Sequence, residues 1–138
     1  MWYFDASALV KRYVREQGSV KVRRLLLSDV LATSRLSEVE VASALGRRAR
    51  EGAFSLAERD RALAALETDF AAILVVELTS EITARARTLL QRHELRASDA
   101  IQLASCLYLQ EELGEKVPLV AFDGRLTEAA RREGLSAA

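Results

Sequence analysis

The sequence predicts an α/β protein, a three-layer α/β/α sandwich built around a short parallel sheet, and three observations carry that expectation. Four short apolar runs rich in β-branched or aromatic residues occur at 1–4 (MWYF), 30–33 (VLAT), 73–78 (ILVVEL) and 119–122 (LVAF), each short enough for a buried strand. Longer stretches with apolar residues at helical spacing separate them. Strands that alternate with helices give parallel strands with helices on both faces of the sheet. At 138 residues, 50% of them hydrophobic, the chain can bury one core and is too short for two ordinary ones, so 1–138 reads as one domain. A single proline, no Gly/Ser-rich linker and no repeat leave nothing to mark a boundary.

The first strand, MWYF, stops at Asp5, and helical spacing follows over 6–16 until Gly18. A second helix is predicted over 19–28, ahead of the strand at 30–33. The helix over 35–51 starts from Thr33 or Ser34 and stops at Gly52. Ser55, with Glu58 three residues on, forms a capping box for a helix over 55–70. After the strand at 73–78, Thr79 or Ser80 starts a helix over 80–93, and Ser98 starts another over 98–114 that stops at Gly114. Pro118 precedes the last strand, which runs into Asp123, and the final helix over 125–133 meets Gly134.

Composition removes several chemistries. One cysteine, Cys106, excludes an internal disulfide, and with one histidine, His93, no thiolate or imidazole metal cluster can be assembled. Any metal must sit among oxygen ligands. No apolar run approaches membrane-spanning length, and Met1 leads directly into aromatic residues without a basic and apolar leader, so a soluble, cytoplasmic protein is expected. Formal charge is zero, but residues 1–50 hold ten of the 20 Lys/Arg and only five of the 20 Asp/Glu. If acids of the remaining chain gather in one cleft around a cation, the rest of the surface is more basic than the total implies. Mixed charges on solvated helix faces are the plainer reading for most of these residues.

Asp5 and Asp123 each stand first after a predicted strand. In an open parallel sheet, ligand-binding loops lie beyond the carboxyl ends of the strands, where strand order reverses. If these two strands are neighbours, both carboxylates open onto one edge. Asp99, in LRASDAIQLASCLYL, falls in the first turn of a helix, where a cap or a partner for the helix dipole is the ordinary role of an aspartate. In TSRLSEVEVASALGRR, Glu40 has Leu36 and Ala44 at i−4 and i+4 and so faces inward more readily than Glu38.

Together the segments YFDASALVKRY, TSRLSEVEVASALGR, LRASDAIQLASC and LVAFDGRLTEAARREGL, in this order, resemble the four acidic motifs of the PIN domain. More narrowly, they resemble the VapC-type toxin ribonucleases of bacterial and archaeal toxin–antitoxin systems. The resemblance runs from Tyr3 to Leu135. It places the family's acids at Asp5, Glu40, Asp99 and Asp123, with Ser7 matching a small hydroxyl residue beside the first acid. Glu40 is chosen over Glu38 because it follows Ser34 by six residues in the T-S-x-L-x-x-x-E pattern. One departure is Ala121, where the family often carries Ser or Thr two residues before the last acid.

The resemblance implies a PIN-like fold, an endoribonuclease leaving 5′-phosphate and 3′-hydroxyl ends, a homodimer, and a cognate antitoxin whose C-terminal segment covers the acidic cleft. Four gathered carboxylates repel one another unless a cation neutralises them, and Mg²⁺ or Mn²⁺ suits an oxygen-only set. Asp5 and Asp99 are the expected direct ligands, with Glu40 and Asp123 as further ligands or water-positioning groups. Such a site hydrolyses a phosphodiester without a His or Cys nucleophile. Lys11, Arg12, Arg15, Arg47, Arg48, Arg50 and above all Arg96 are candidates for RNA phosphates, or simple solubilisers. Trp2, Phe4 and Phe122 read as core, His93 and Cys106 as non-functional, and Cys106 as part of a buried helix face. A phospho-receiver-like module fits poorly, since no acid pairs with Asp5 and the third strand runs into Glu77 where a phosphoacceptor aspartate belongs. A PIN-like binding module without catalysis is the other alternative, against which the presence of all four motif acids argues.

Overall fold

The computed structural model describes every residue from Met1 to Ala138. Four strands form its centre: β1 (Trp2–Phe4), β2 (Leu31–Ser34), β3 (Leu74–Val76) and β4 (Leu119–Val120). All pairings are parallel, in the order β3-β2-β1-β4, with Tyr3 in register with Ala32 on one side and Leu119 on the other. Side chains alternate along a strand. Tyr3, Ala32, Val76 and Leu119 therefore enter one core, and Phe4, Leu31 and Val120 enter another.

Helices cover both. The first core is closed by α5 (Ser80–Arg92), α6 (Ala97–Leu113) and α7 (Gly124–Arg132), through Ile82, Leu89, Leu103 and Leu126. The second is closed by α1 (Ala6–Leu9, prolonged by a 3₁₀ turn at Val10–Arg12), α2 (Ser19–Ser28), α3 (Arg35–Arg50) and α4 (Leu56–Phe70), through Leu9, Val22, Val41, Leu45 and Leu66. This is the predicted three-layer sandwich. Each fully buried large side chain, such as Phe4, Leu45 or Leu103, contributes roughly 1.5–3 kcal/mol of transfer free energy.

Several boundaries follow the expected caps. Ser34, not Thr33, caps α3 by accepting from the Leu36 N–H, and Thr79, not Ser80, caps α5 through the Ile82 N–H. Ser55 and Glu58 form the reciprocal capping box of α4. Other boundaries differ. The first helix does not run to residue 16. Instead the Ser19 hydroxyl donates to the Val14 carbonyl (2.8 Å) and accepts from the Glu16 N–H (3.0 Å), and Gly18 adopts φ of 93°. These local bonds hold an irregular turn in place of further helix. Ser98 does not cap α6, which starts at Ala97 with Arg96 in the cap position and no side-chain bond. The strand expected at 73–78 shortens to three residues because it is the sheet edge, where Leu74 is exposed.

The other edge is covered. The Leu119 N–H donates to Ser136 O and the Ala138 N–H donates to Leu119 O, so the chain end pairs along β4. No helix is long and apolar enough to cross a membrane.

The connections step from β1 to β2 to β3 in one direction, and β4 then returns to the opposite side of β1. The order therefore reverses between β1 and β4, and the segments leaving these two strands diverge to open a crevice above the sheet.

Candidate active site

Asp5 is the first residue beyond β1 and Asp123 lies just beyond β4, so the reversal of strand order brings both to the same crevice. Glu40, on the second turn of α3, and Asp99, in the first turn of α6, enter from opposite helical layers. All four line one cleft of about 200 Å³ together with Ser7, Arg96, Gln102 and Phe122.

Asp5 is only 4% exposed. Its Oδ1 accepts from the Ala8 N–H (2.9 Å), which caps α1, and from the Ser7 hydroxyl (2.7 Å), whose oxygen lies 2.9 Å from Oδ2. The same Ser7 oxygen accepts from the Phe122 N–H (3.1 Å), tying the segment after β4 to the segment after β1. Ser7 thus supplies a hydroxyl at a junction where Ala121 has none. Burial is the main force on the Asp5 carboxyl and raises it to about 7; the Ser7 and Ala8 bonds oppose this, and the charges of Asp99 and Glu40 add to it.

Glu40 is held by Gln102, whose amide donates to Glu40 Oε1 and to Ser37 Oγ, both at 2.9 Å. Gln102 is itself oriented by the buried Tyr3 hydroxyl, which donates to Oε1 at 2.7 Å, while burial pushes Tyr3 well above its ordinary range and keeps it a neutral donor. Ser37 bonds Thr33, which also donates to the Phe4 carbonyl (2.6 Å). A buried polar chain thus runs from the sheet to Glu40. Burial raises the Glu40 carboxyl, the Gln102 bond opposes this, and the nearby Asp99 charge raises it further.

Asp99 is buried and accepts no helix-capping amide; its Oδ2 accepts from Arg96 Nε (3.1 Å). The same guanidinium reaches Asp123 Oδ2 at 3.6 Å. Asp123 does cap its helix, with Oδ1 accepting from the Arg125 and Leu126 amides at 3.0 Å. Although the four acids share a cleft, no three of them converge tightly enough to close a metal cage of protein ligands alone. Arg96 draws Asp99 and Asp123 towards itself instead. The donor set is nonetheless one of oxygen atoms short of positive charge, which suits a hard ion that keeps several waters and takes only one or two carboxylates directly.

Residues 2–132 match the family described as the PIN domain. The chain belongs to the PIN domain family and, within it, to the VapC-type proteins. Ribonuclease VapC45 of Mycobacterium tuberculosis is 38% identical over 139 residues, covering 96% of this chain and 90% of that protein. In fold, this PIN domain superposes on the crystal structure of M. tuberculosis VapC20, described as a sarcin–ricin loop cleaving toxin, with a TM-score of 0.72 at 22% identity, covering 94% and 95% of the two chains. A toxin–antitoxin complex from Klebsiella pneumoniae gives a TM-score of 0.65 at 19% identity over 92% and 90%.

As expected, Glu40 rather than Glu38 enters the cleft; Glu38 lies outside it and accepts from Arg35 (2.8 Å). Other placements differ from expectation. Arg12 is taken by Asp69 (2.6 Å), and Lys11 and Arg48 both bond Glu16. Phe122 is not core: the residue is 42% exposed, with its N–H held by Ser7 and its ring lying beside Gly18 and Lys11. Trp2 is half-buried, with its indole donating to Ser28. His93 is nearly enclosed beside Glu133, and Cys106 is, as expected, on the buried face of its helix, its thiol pushed far up by burial. Gln102 and Tyr3 were not anticipated. The signal for Gln102 was present, since an amide stands three residues after Asp99 among the apolar residues of a buried helix.

Proposed function

We propose that the protein is a Mg²⁺- or Mn²⁺-dependent endoribonuclease that hydrolyses RNA phosphodiester bonds and serves as the toxin of a toxin–antitoxin pair. The observation that carries this reading is the gathering of Asp5, Glu40, Asp99 and Asp123 at the reversal of strand order, in a cleft whose buried Asp5 lacks a compensating cation. The ribonuclease names of its VapC relatives support the substrate class.

Asp5 and Asp99 are the residues to hold the ion, with Glu40 and Asp123 completing its shell through water or directly. When bound, such an ion neutralises a phosphate and makes a coordinated water more acidic. The remaining work falls to this chain's own groups. Ser7 fixes Asp5 and the β4–α7 junction together, and Gln102 fixes Glu40 through Oε1, leaving Oε2 to orient a water or accept its proton. Arg96, 73% exposed at its side chain, is placed to exchange its carboxylate partners for a substrate phosphate. That it already spans Asp99 and Asp123 also supports an antitoxin arginine as the inhibitory group, since a guanidinium matches this carboxylate pair. A homodimer is part of the same reading.

The test is cleavage of a mixed RNA pool with Mg²⁺ or Mn²⁺ by the wild type, Asp5→Asn and Asp99→Asn. Cleavage by the wild type alone, abolished by chelator, is expected. Activity surviving both substitutions or excess chelator refutes the site, and cleavage confined to DNA refutes the substrate.

A further inference from the structure

We infer that Phe122 is a stacking platform for one nucleobase of the substrate, next to the bond that is cut. This rests on the RNA-cleaving reading above and adds a base-binding position to it. Phe122 lines both the acidic cleft and a larger neighbouring groove of about 580 Å³, in whose walls Lys11, Arg47, Arg48 and Arg96 outnumber Glu16 and Glu40. It therefore stands where a strand passing from the basic groove to the carboxylates must turn. A phenylalanine that is 42% exposed at an acidic cleft is unexplained by core packing.

The ring is held in place rather than merely left outside. Its backbone N–H donates to Ser7 Oγ (3.1 Å), and Ser7 in turn bonds Asp5, so the backbone that carries the ring is tied to the first acid. Gly18 gives it room: a β-carbon there would lie 2.6 Å from the ring's Cε1 and 2.8 Å from Cζ. The irregular turn that interrupts the first predicted helix thus receives an aromatic edge. The Lys11 and Lys21 ammonium groups lie 4.6 and 5.8 Å from the ring centroid. Lys11 is anchored by Glu16 and the Gln17 carbonyl, whereas Lys21, exposed on α2, has no carboxylate partner and is available to a backbone phosphate. Exposed aromatic residue, flanking cations and basic groove are the combination that binds single-stranded nucleic acid through stacking and phosphate contacts.

The test uses a single-stranded oligoribonucleotide that the wild type cleaves out of a random pool, with each base near the cut replaced in turn by an abasic residue. For the wild type, one abasic position raises KM by about five- to a hundredfold, the range of a lost base–aromatic stack. Phe122→Leu is expected to raise KM on the intact strand similarly and to show no further penalty at that abasic position, because both changes remove the same contact. Phe122→Tyr restores both, and a thermal melt of each variant shows that the fold is kept. A wild-type KM for Phe122→Leu, or an abasic penalty that persists in it, overturns the platform and leaves the nuclease reading standing. A wild type that cleaves no RNA overturns both.

Discussion

Replacing Asp5 with Asn is expected to stabilise the ion-free protein while abolishing cleavage. Asp5 is nearly sealed from water beside Asp99 and Glu40, and its carboxyl is raised from 3.8 to about 7. Between those values the folded chain holds a proton at Asp5 that the unfolded chain has released, so stability falls as pH rises through this window and is flat above it. At about 1.4 kcal/mol per pH unit, the folded state forfeits at most roughly 4 kcal/mol by pH 8. Asparagine is close in shape, and its Oδ1 can still accept from the Ala8 amide and Ser7 hydroxyl that now serve the carboxylate. A gain of roughly 2 kcal/mol would raise Tm by about 5–10 °C for a domain of this size. The assay is a thermal melt in chelator from pH 5 to 8, with Glu40, Asp99, Asp123 and Arg96 unchanged as the other charged groups of the cleft. The wild type should lose Tm towards neutral pH relative to Asp5→Asn, and Mn²⁺ should raise Tm of the wild type far more than that of the variant. An Asp5→Asn protein that melts no higher than the wild type at pH 8 refutes the claim that the cleft lacks positive charge.

Gln102→Leu removes the donor to Glu40 and the acceptor of the Tyr3 hydroxyl; a stability loss of about 1–3 kcal/mol in a denaturant melt is expected, with a fall in kcat at fixed pH because Glu40 loses its orientation. Arg96→Met removes a guanidinium from Asp99 and Asp123, so titration calorimetry should show Mn²⁺ binding a few-fold more tightly, although cleavage slows if Arg96 also serves a phosphate. Gly18→Ala places a β-carbon against the Phe122 ring at a backbone φ of 93°; a destabilisation above about 1 kcal/mol is expected, and the proton chemical shifts of the Phe122 ring should report its displacement.

The sheet, its two helical layers and most helix bounds could be read from the chain because their causes are local. Apolar runs of strand length, Ser55 with Glu58, and the glycines at 18, 52, 114 and 134, all of which take positive φ, act within a few residues of where they stand. The acids at 5 and 123 were legible for a different reason: both also cap the helix that follows, at Ala8 and at Arg125 and Leu126, but each stands at the carboxyl end of a strand, and the topology brings the two together. Asp99 and Glu40 were not separable from caps and surface charges by periodicity, since a helix tolerates both; only the pattern of four motifs selected them. What stayed hidden depends on contacts between distant segments. The backbone of Phe122 is held by a hydroxyl 115 residues away in sequence. The ending of the first helix at Arg12 is set by Ser19, and the orientation of Glu40 by Gln102, which lies 62 residues away.

Those hidden contacts share a direction, and it explains why one cleft can hold four acids without the fold giving way. Each acid is fixed by groups that belong to the scaffold: the α1 amide and Ser7 for Asp5, the Tyr3–Gln102 pair for Glu40, the α7 amides for Asp123 and Arg96 for Asp99. Three of these are neutral donors. They keep the carboxylates in position without cancelling their charge. Arg96 is the exception, a charged partner whose side chain is 73% exposed. The polar chain from Thr33 through Ser37 and Gln102 to Glu40 is therefore better understood as the support of a deliberately undercompensated site than as an ordinary source of stability.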